Sequence, residues 1–387
     1  MTDKLFDRDS YIKEFTCKVS HLYSKDDILY IETDRTAFFP EGGGQTSDIG
    51  TLGTANVENV QIIDGRIYHF VENSEENVKF FTVGKEITGK IDWKKRFSDM
   101  QQHSGEHIFS GIVHSLYGYD NVGFHLGTEV VTLDFNGILT KEDVCKVELL
   151  VNKVIWDNID VKVFFPSDDE LVLIPYRSKK EIDGQIRLVE FPGVDICACC
   201  APHMKKTGEI GVVEVVAFEK YKGGTRVSIL CGERALQDIR HKLDENHAVS
   251  VLMSAKEKET AQAVERIKKE KESLDYEIVG LKREILNLKL ASVKSDKRIV
   301  IFNSSLEGKM LQDFALALME RSEEFVCCFC GENGQYRYCM VSDKFDPLHY
   351  AKAMNEKFNG RGGGRNGIVQ GSLCGEEEEI RRFLTSL

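Results

Sequence analysis

The sequence predicts an α+β protein of four successive parts. Alternating apolar and polar residues over 13–90, a helical apolar period from about 91, and a heptad pattern over 254–292 with a compact α/β stretch behind it lead there. In the first part, EFTCKVSHLY, DILYIETD, VQIIDGRIYHFV and KFFTV read as strands between turn signals, and FFPEGGGQTSDIG (Phe38 to Gly50) is too glycine-rich for regular structure, so residues 1–90 are expected to form a small β-barrel with a Gly-rich loop. DWKKRFSDMQQHSGEHIFSGIVHSLYG then has helical spacing, with Phe97, Met100, His107, Ile108, Ile112 and Leu116 near one face and Gly118 as its stop. Strands follow (VVTLDFNG), a helix (KEDVCKVELLVNKVIWDNI), and more strands through RVSILCG, which makes 91–245 an α+β domain.

Over 246–295 an arm is expected. Val264, Ile267, Leu274, Ile278, Leu281, Ile285 and Leu288 recur at alternating three- and four-residue steps, interrupted at Lys271, in a coiled-coil pattern. Such a seam serves equally an antiparallel arm within one chain and a homodimer contact. Residues 296–387 read as a compact α/β domain. RIVIFNSS and FVCCFCGENGQYRYCMVSD are its buried strands, LQDFALALMERS and DPLHYAKAMNEKFNG its helices, and GRGGGRNGIVQGS (Gly360 to Ser372) a glycine-rich loop before a short acidic helix.

The 387 residues, 42% hydrophobic and 29% charged, are ordinary for soluble domains. No apolar run approaches a membrane span, and the acidic start MTDKLFDRDSYIKEF lacks the apolar core of an export signal, so a cytoplasmic protein with no membrane partner is expected. A net charge of -12 speaks against nonspecific nucleic-acid binding and leaves room for a local basic patch. Eleven cysteines, an odd number without an export signal, point away from disulfides and towards metal ligands or buried thiols. Cys327, Cys328 and Cys330, in a strand-like run, read as core thiols.

His103 and His107, four apart on the predicted helix, put two imidazoles on one face within reach of a single ion. Far downstream, DICACCAPHMKKTGEIG supplies Cys199 and His203, again four apart. A mixed nitrogen and sulfur set of this kind suits one Zn²⁺ per chain. Cys197 and Cys200 compete with Cys199 for the thiolate position; Cys199 is preferred. HSGEH also matches H-x-x-E-H, the inverted zinc-protease motif, with Glu106 as general base. On a helix Glu106 lies about 100° from His107, which weakens that metallopeptidase alternative.

Taken together, TAFFPEGGGQTSDIGTL, QQHSGEH, CCAPHMKKTGEIG and GGGRNGIVQGS resemble, in order, four signatures of the alanyl-tRNA editing proteins, freestanding relatives of the alanyl-tRNA synthetase editing region, in their long form. The resemblance covers nearly the whole chain. It implies a translation-protein-like barrel, an editing domain shared with threonyl- and alanyl-tRNA synthetases, a coiled-coil arm and a C-terminal DHHA1-type domain that holds the tRNA body. It also implies that His103, His107, Cys199 and His203 hold zinc, that the Gly42-Gly43-Gly44 loop shapes the mouth of the site, and that tRNA(Ala) mischarged with serine or glycine is deacylated. The family's synthetase members usually read Cys-Gly-Gly-Thr-His where this chain has Cys199-Cys200-Ala201-Pro202-His203, which keeps the spacing and loses two glycines and a hydroxyl.

Hydrolysis of such an ester needs a placed water and charge stabilisation at the carbonyl oxygen; zinc polarises the carbonyl, activates water or orients the substrate, and orientation is preferred because four protein ligands leave no open position. Thr36, Gln45, Gln102 and Asp195 are the candidate polar neighbours. At the other end, residues 351–371 carry Lys352, Lys357, Arg361 and Arg365 against Glu356, with Arg361 and Arg365 as candidate phosphate contacts beside glycines. A non-catalytic tRNA-binding protein with a structural zinc is the alternative outside enzymology.

Overall fold

Burial alternates along Glu14–Lys25, Ile28–Thr33 and Arg66–Glu72, and all three are strands. The structure, a computed structural model, describes residues 2–178, 185–306 and 308–387. It divides into two units, 1–248 and 249–387.

The first unit opens with a nearly closed seven-stranded sheet in the order Ala55–Val57, Gly50–Leu52, Glu86–Ile91, Glu14–Lys25, Ile28–Thr33, Arg66–Glu72, Asn59–Ile63. Its neighbours are antiparallel throughout. Closure comes from the long strand Glu14–Lys25, whose first half pairs with Glu86–Ile91 and whose second half pairs with Ile28–Thr33 across a register shift at Val19/His21. Phe15, Leu29, Ile31, Phe38 and Phe39 fill the interior. KFFTV, read as a strand, is not one. Ser74 caps a short helix, Glu75–Phe80, by accepting from the Asn77 N–H, and the aromatic pair that suggested a strand caps the sheet instead, with Phe81 buried.

The rest of this unit is a four-stranded antiparallel sheet (Asn121–Leu126, Val131–Phe135, Gly224–Cys231, Val213–Tyr221), a three-stranded one (Lys162–Phe164, Leu188–Phe191, Asp195–Ala198) and the helices Trp93–Tyr117 and Lys141–Trp156. Asp92 caps the Trp93–Tyr117 helix at its start and Gly118, with φ +69°, ends it. The sequence reading gave this helix a single apolar face. Instead every residue from Asp99 to Val113 is buried, polar ones included, while Leu116 stands 42% exposed. Both sheets, the second helix and the loop after Thr36 enclose it, so its polar groups must be satisfied inside the protein.

Arg96 is fully buried on this helix. Its guanidinium pairs bidentately with Asp48, with Nε to Oδ1 at 2.8 Å, and donates to the carbonyls of Ser10 (2.9 Å) and Ala37 (2.6 Å). Asp48 in turn accepts from the Phe39 N–H at 2.5 Å.

In the second unit a five-stranded sheet runs in the order Asp296–Phe302, Ser322–Glu332, Gln335–Val341, Ile368–Cys374, Arg361–Arg365. Its first pair is parallel, joined through the helix Lys309–Leu318, and the others are antiparallel. Pro347–Lys357 and Glu377–Ser386 cover the opposite face through Ala351, Met354, Ile380 and Leu384. Cys327 and Cys328 are buried core thiols, as is Cys339, whereas Cys330, read with them as a core thiol, is only partly buried. The glycine-rich run read as a loop is the edge strand Arg361–Arg365, because a bare backbone can lie close against Ile368–Cys374. Thr260–Ser292 is one long helix; Leu286 packs on this unit's core, and each of the seven seam residues from Val264 to Leu288 is at least 40% exposed. Among the described residues no helix is long and apolar enough to cross a membrane.

Removing one partner of a buried ion pair strands the other charge, so Asp48→Ala is expected to cost about 3–5 kcal/mol, read as a lowered denaturation midpoint. His69 sits fully buried between the Ile31 carbonyl (2.9 Å) and the Thr36 hydroxyl (2.8 Å), and burial pushes its pKa down to about 4. Unfolded His69 takes up a proton near 6.5 and the folded residue does not, so stability should fall by roughly 3 kcal/mol as pH drops from 6.5 to 4, with the loss flattened in His69→Gln.

A buried three-histidine, one-cysteine cluster

His103 and His107 lie one turn apart on the enclosed helix, with ring centroids 5.3 Å apart. The strand Asp195–Ala198 runs alongside, close enough that a Cβ on Gly111 would sit 2.7 Å from the Asp195 Cβ. The turn that follows this strand carries Cys199 and His203 back over the helix. Ligand atoms of His103, His107, Cys199 and His203 all fall within 4.8 Å of one another. Cys199 Sγ is 3.6 Å from His103 Nε2 and 3.3 Å from His203 Nε2.

Each imidazole is turned by an oxygen behind it. His103 Nδ1 is 2.7 Å from Gln45 Oε1, His107 Nδ1 is 3.2 Å from Asp195 Oδ2, and His203 Nδ1 is 3.2 Å from Ser104 Oγ. Gln45 Oε1 and the carboxylate only accept, so His103 and His107 each carry a proton on Nδ1 and turn Nε2 inward. Burial lowers the His107 pKa, and its hydrogen bonds to Asp195, Cys197 and Cys199 outweigh that and raise it well above the usual imidazole value. Asp195 is locked as well: Arg177 donates to it from Nε at 2.7 Å and from its terminal nitrogen at 2.9 Å. Burial opposes the Asp195 carboxylate, and His107 with Arg177 outweighs it, so its pKa is lowered. The same contest holds Cys199 well below an ordinary thiol: burial raises it, and the imidazoles of His103 and His203 overcome that. Burial, only partly offset by Cys199, pushes His203 down to about 3, which keeps it neutral.

This donor set fits a tetrahedral metal ion. Metal–nitrogen and metal–sulfur bonds of about 2.0–2.1 and 2.3 Å at tetrahedral angles separate N from S by roughly 3.5 Å, the spacing seen around Cys199. Oxygen partners on the distal imidazole nitrogens are the usual outer support of such a site. A second group, His107, Asp195 and Cys197, meets the same distance limit, but its carboxylate is already held by Arg177. Cys200 belongs to neither group.

Three of the four, His103, His107 and Cys199, line a cleft of about 560 Å³, together with Gly43, Gly44, Phe124, Cys200 and Arg187. Residues 42–45 make a tight turn in which the Gly42 and Gln45 backbones bond each other in both directions at 3.1 Å. Gly43 and Gly44 take φ of +62° and +84°, and a Cβ on Gly44 would stand 2.7 Å from the Phe124 carbonyl. The turn thus aims Gln45 at His103 and leaves bare backbone at the cleft.

The sequence candidates divide accordingly. Gln45 and Asp195 touch the imidazoles from behind and position them. Thr36 and Gln102 lie elsewhere. Thr36 spends its hydroxyl inside the barrel on His69 and the Phe38 N–H, and Gln102 clips both backbone groups of Cys231 at 2.8 Å through its amide. Neither lines the cleft. Glu106 is fully buried, with Oε1 accepting from Ser110 and Asn121 at 2.7 Å each, and is not part of the cleft wall where a peptidase base belongs. Arg361 and Arg365 are in the second unit, exposed on its edge strand.

Sequence reasoning missed Ser104, Arg177 and Arg187. Arg187 donates to the carbonyls of Cys199 (2.7 Å) and Ala201 (3.0 Å), and its own carbonyl accepts from the Cys199 N–H at 3.1 Å, so it braces the ligand turn. Its only signal in the sequence is a cation entering the apolar run LVEF.

Residues 11–95 match the class II (A) tRNA synthetases, and residues 186–228 match the threonyl and alanyl tRNA synthetase second additional domain. The chain is 26% identical to alanyl-tRNA editing protein AlaX-L of Pyrococcus horikoshii, over 98% of this chain and 96% of that one. It is 30% identical to alanyl-tRNA editing protein Aarsd1-B of Xenopus laevis, over 77% of this chain and 70% of the relative.

The chain belongs to the alanyl-tRNA editing proteins. It also aligns over 96% of its length with the alanine–tRNA ligase of Methanobrevibacter smithii at 27% identity, covering 44% of that enzyme. In this editing protein the span matching the second additional domain contains Arg187, Asp195, Cys199 and His203, while His103 and His107 fall between the two matched spans.

Loss of an outer partner typically weakens a metal site 10–100-fold. Asp195→Asn and Gln45→Ala are each expected to lower metal affinity by about that factor in a chelator competition; Asp195→Asn, which leaves Arg177 without its carboxylate, should also lower the melting of the metal-free protein, and Gln45→Ala should change it little.

Proposed function

We propose that this chain hydrolyses the ester of mischarged tRNA(Ala), chiefly the seryl form and also the glycyl form, at a zinc ion held by His103, His107, Cys199 and His203. One observation carries the reading: three imidazoles, each steered by an oxygen, and a low-pKa thiol converge on one point in the wall of a cleft. The names of its editing relatives supply the substrate class.

When bound, zinc supplies a Lewis acid and an anchor for the substrate's amino or hydroxyl group. Asp195 and Gln45 hold His107 and His103 in the tautomer a metal needs, and Arg187 keeps the Cys199–Ala201 turn in place. Phe124 packs on the His103 ring at 4.8 Å and gives the cleft an apolar side. The bare backbone at Gly43 and Gly44 leaves room for the terminal ribose at the mouth. A site that bonds a substrate hydroxyl rejects the analogue without it by roughly 10⁴-fold or more, which is the discrimination a serine-removing enzyme needs against alanine. The glycyl ester lacks that hydroxyl, so this discrimination covers the seryl form alone.

By the same reading residues 1–90 are the translation-protein-like barrel, 91–245 the editing domain, 246–295 the coiled-coil arm and 296–387 the DHHA1-type tRNA-binding domain of a cytoplasmic protein. The exposed seam from Val264 to Leu288 supports a homodimer contact along the arm.

Deacylation of seryl-, glycyl- and alanyl-tRNA(Ala) by the full chain tests this directly. Seryl-tRNA(Ala) should be hydrolysed and alanyl-tRNA(Ala) spared. Cys199→Ala should lose most zinc by elemental analysis and roughly 100-fold or more in rate. Peptide cleavage without ester hydrolysis would instead favour an inverted-motif peptidase, and tRNA binding without turnover a structural zinc.

A further inference from the structure

Residues 2–10 are fastened to the first unit along their length. The Thr2 hydroxyl donates to the Thr33 carbonyl at 2.9 Å, the Asp3 N–H donates to the Asp34 carbonyl at 2.9 Å, and Lys4 pairs in parallel with Thr36. Phe6 is buried, edge-on against Phe39 with ring centroids 5.6 Å apart. At the far end the Ser10 hydroxyl donates to the His203 carbonyl at 2.8 Å, and the Ser10 carbonyl accepts from Arg96 at 2.9 Å. Asp7, on the short helix Leu5–Arg8 between these ties, is thereby held against the cleft that His103, His107 and Cys199 line.

The Asp7 side chain is 21% exposed, and among the described residues its carboxylate accepts no hydrogen bond. Arg187 faces it without reaching it. The Arg187 Nε is 3.8 Å from Asp7 Oδ1 and buried without a partner, while its Nη1 is engaged with the carbonyls of Cys199 and Ala201. Lys4 also lines the cleft, but it is exposed and its charge is screened by solvent. Burial raises the Asp7 pKa, and the charges of Arg187 and Lys4 offset that only in part. A carboxylate in this state is short of positive charge and of a donor. Glu181 and Asp183, between the lining residues Ser178 and Gln185, lie outside the described residues; Asp7 is the acidic member of the described wall.

An amino acid esterified to a ribose carries a primary ammonium one carbon from the ester carbonyl, with a positive charge and three donors. We infer that Asp7 is the ammonium-binding residue of the cleft: its carboxylate takes the α-ammonium of the bound aminoacyl ester. This deepens the deacylase reading and rests on it for the identity of the ester. The contact is charge-assisted, and it leaves the carbonyl and any side-chain hydroxyl of the substrate to the histidine–cysteine cluster. The ammonium is common to seryl and glycyl esters, so Asp7 serves both. An ester whose nitrogen is acylated, as in a peptidyl-tRNA, brings no charge and is a poor ligand. Asp7 lies ahead of both matched spans, the first of which starts at residue 11.

The test is calorimetric binding of two unreactive ligands to the zinc-loaded full chain at about pH 6.5, where an α-amino group is charged. Both are 3′-amino-3′-deoxyadenosine acylated on the 3′ nitrogen, with an amide in place of the ester. One carries serine and the other 3-hydroxypropionate, its deamino form. Wild type should prefer the seryl amide by about 10–100-fold, the range of a hydrogen bond to a charged group. Asp7→Asn should reduce that preference to about threefold or less and bind the deamino form within about twofold of wild type, which verifies that the cleft is folded. Asp3→Asn, the same charge change on a carboxylate that pairs with Arg8, should keep the wild-type preference. In turnover Asp7→Asn should lower kcat/KM for seryl- and glycyl-tRNA(Ala) alike by about 10–100-fold. A wild-type preference retained in Asp7→Asn would overturn the inference. So would an equal loss of both ligands, which would mark Asp7 as a purely structural residue. If the preference behaves as expected while wild type leaves seryl-tRNA(Ala) intact, the deacylase reading falls and the ammonium subsite stands.

Discussion

A buried ion pair between Arg96 and Asp48 is the constraint on which the candidate site depends. Arg96 belongs to the helix that carries His103 and His107, and Asp48 to the loop that carries Gln45. Two buried charges are tolerable only with close geometry and full hydrogen bonding. Here the guanidinium also takes the carbonyls of Ser10 and Ala37, and the carboxylate takes the Phe39 N–H. The barrel segment and the helix are thereby docked in one relative position, which puts Gln45 within 2.7 Å of the His103 ring.

From that docking the electrostatics of the cluster follow. Histidine enclosed in protein resists charging, and thiols resist ionising, unless the surroundings decide otherwise. The oxygens of Gln45, Asp195 and Ser104 come from three separate segments and face the three distal nitrogens, so the remaining nitrogens converge. Arg177 secures Asp195, and Arg187 secures the turn bearing Cys199. The ligand spacing in sequence is only the inner part of this arrangement; most of the groups that orient it are remote in the chain and brought up by strand pairing.

Part of this was legible in the residues themselves. The four-residue spacings of His103/His107 and Cys199/His203, the stop at Gly118 and the strand alternation over 13–90 are local patterns with local physical causes. The misreadings also have causes. Apolar periodicity suggested a one-faced helix over Trp93–Tyr117, but enclosure on every side makes even Gln101, Gln102 and Ser104 interior residues. Aromatic content suggested a strand at KFFTV, where the Ser74 cap favoured a helix. Glycine content suggested a loop over Gly360 to Ser372, where a bare edge strand packs against its neighbour. Gln102 is next to a candidate ligand in sequence, yet a helix turns it away to Cys231.

The amino-acid sequence alone determined which donor types the chain carries, their spacing within each short segment and their resemblance to editing proteins, because these depend on neighbours a few residues apart. Only the tertiary structure decided that 103, 107, 199 and 203 share one point, that Asp195 and Gln45 act on imidazoles and not on the cleft, and that Asp7 stands at that cleft. Those outcomes depend on strand register and on satisfying buried polar groups across tens to hundreds of residues. No local pattern encodes such distances.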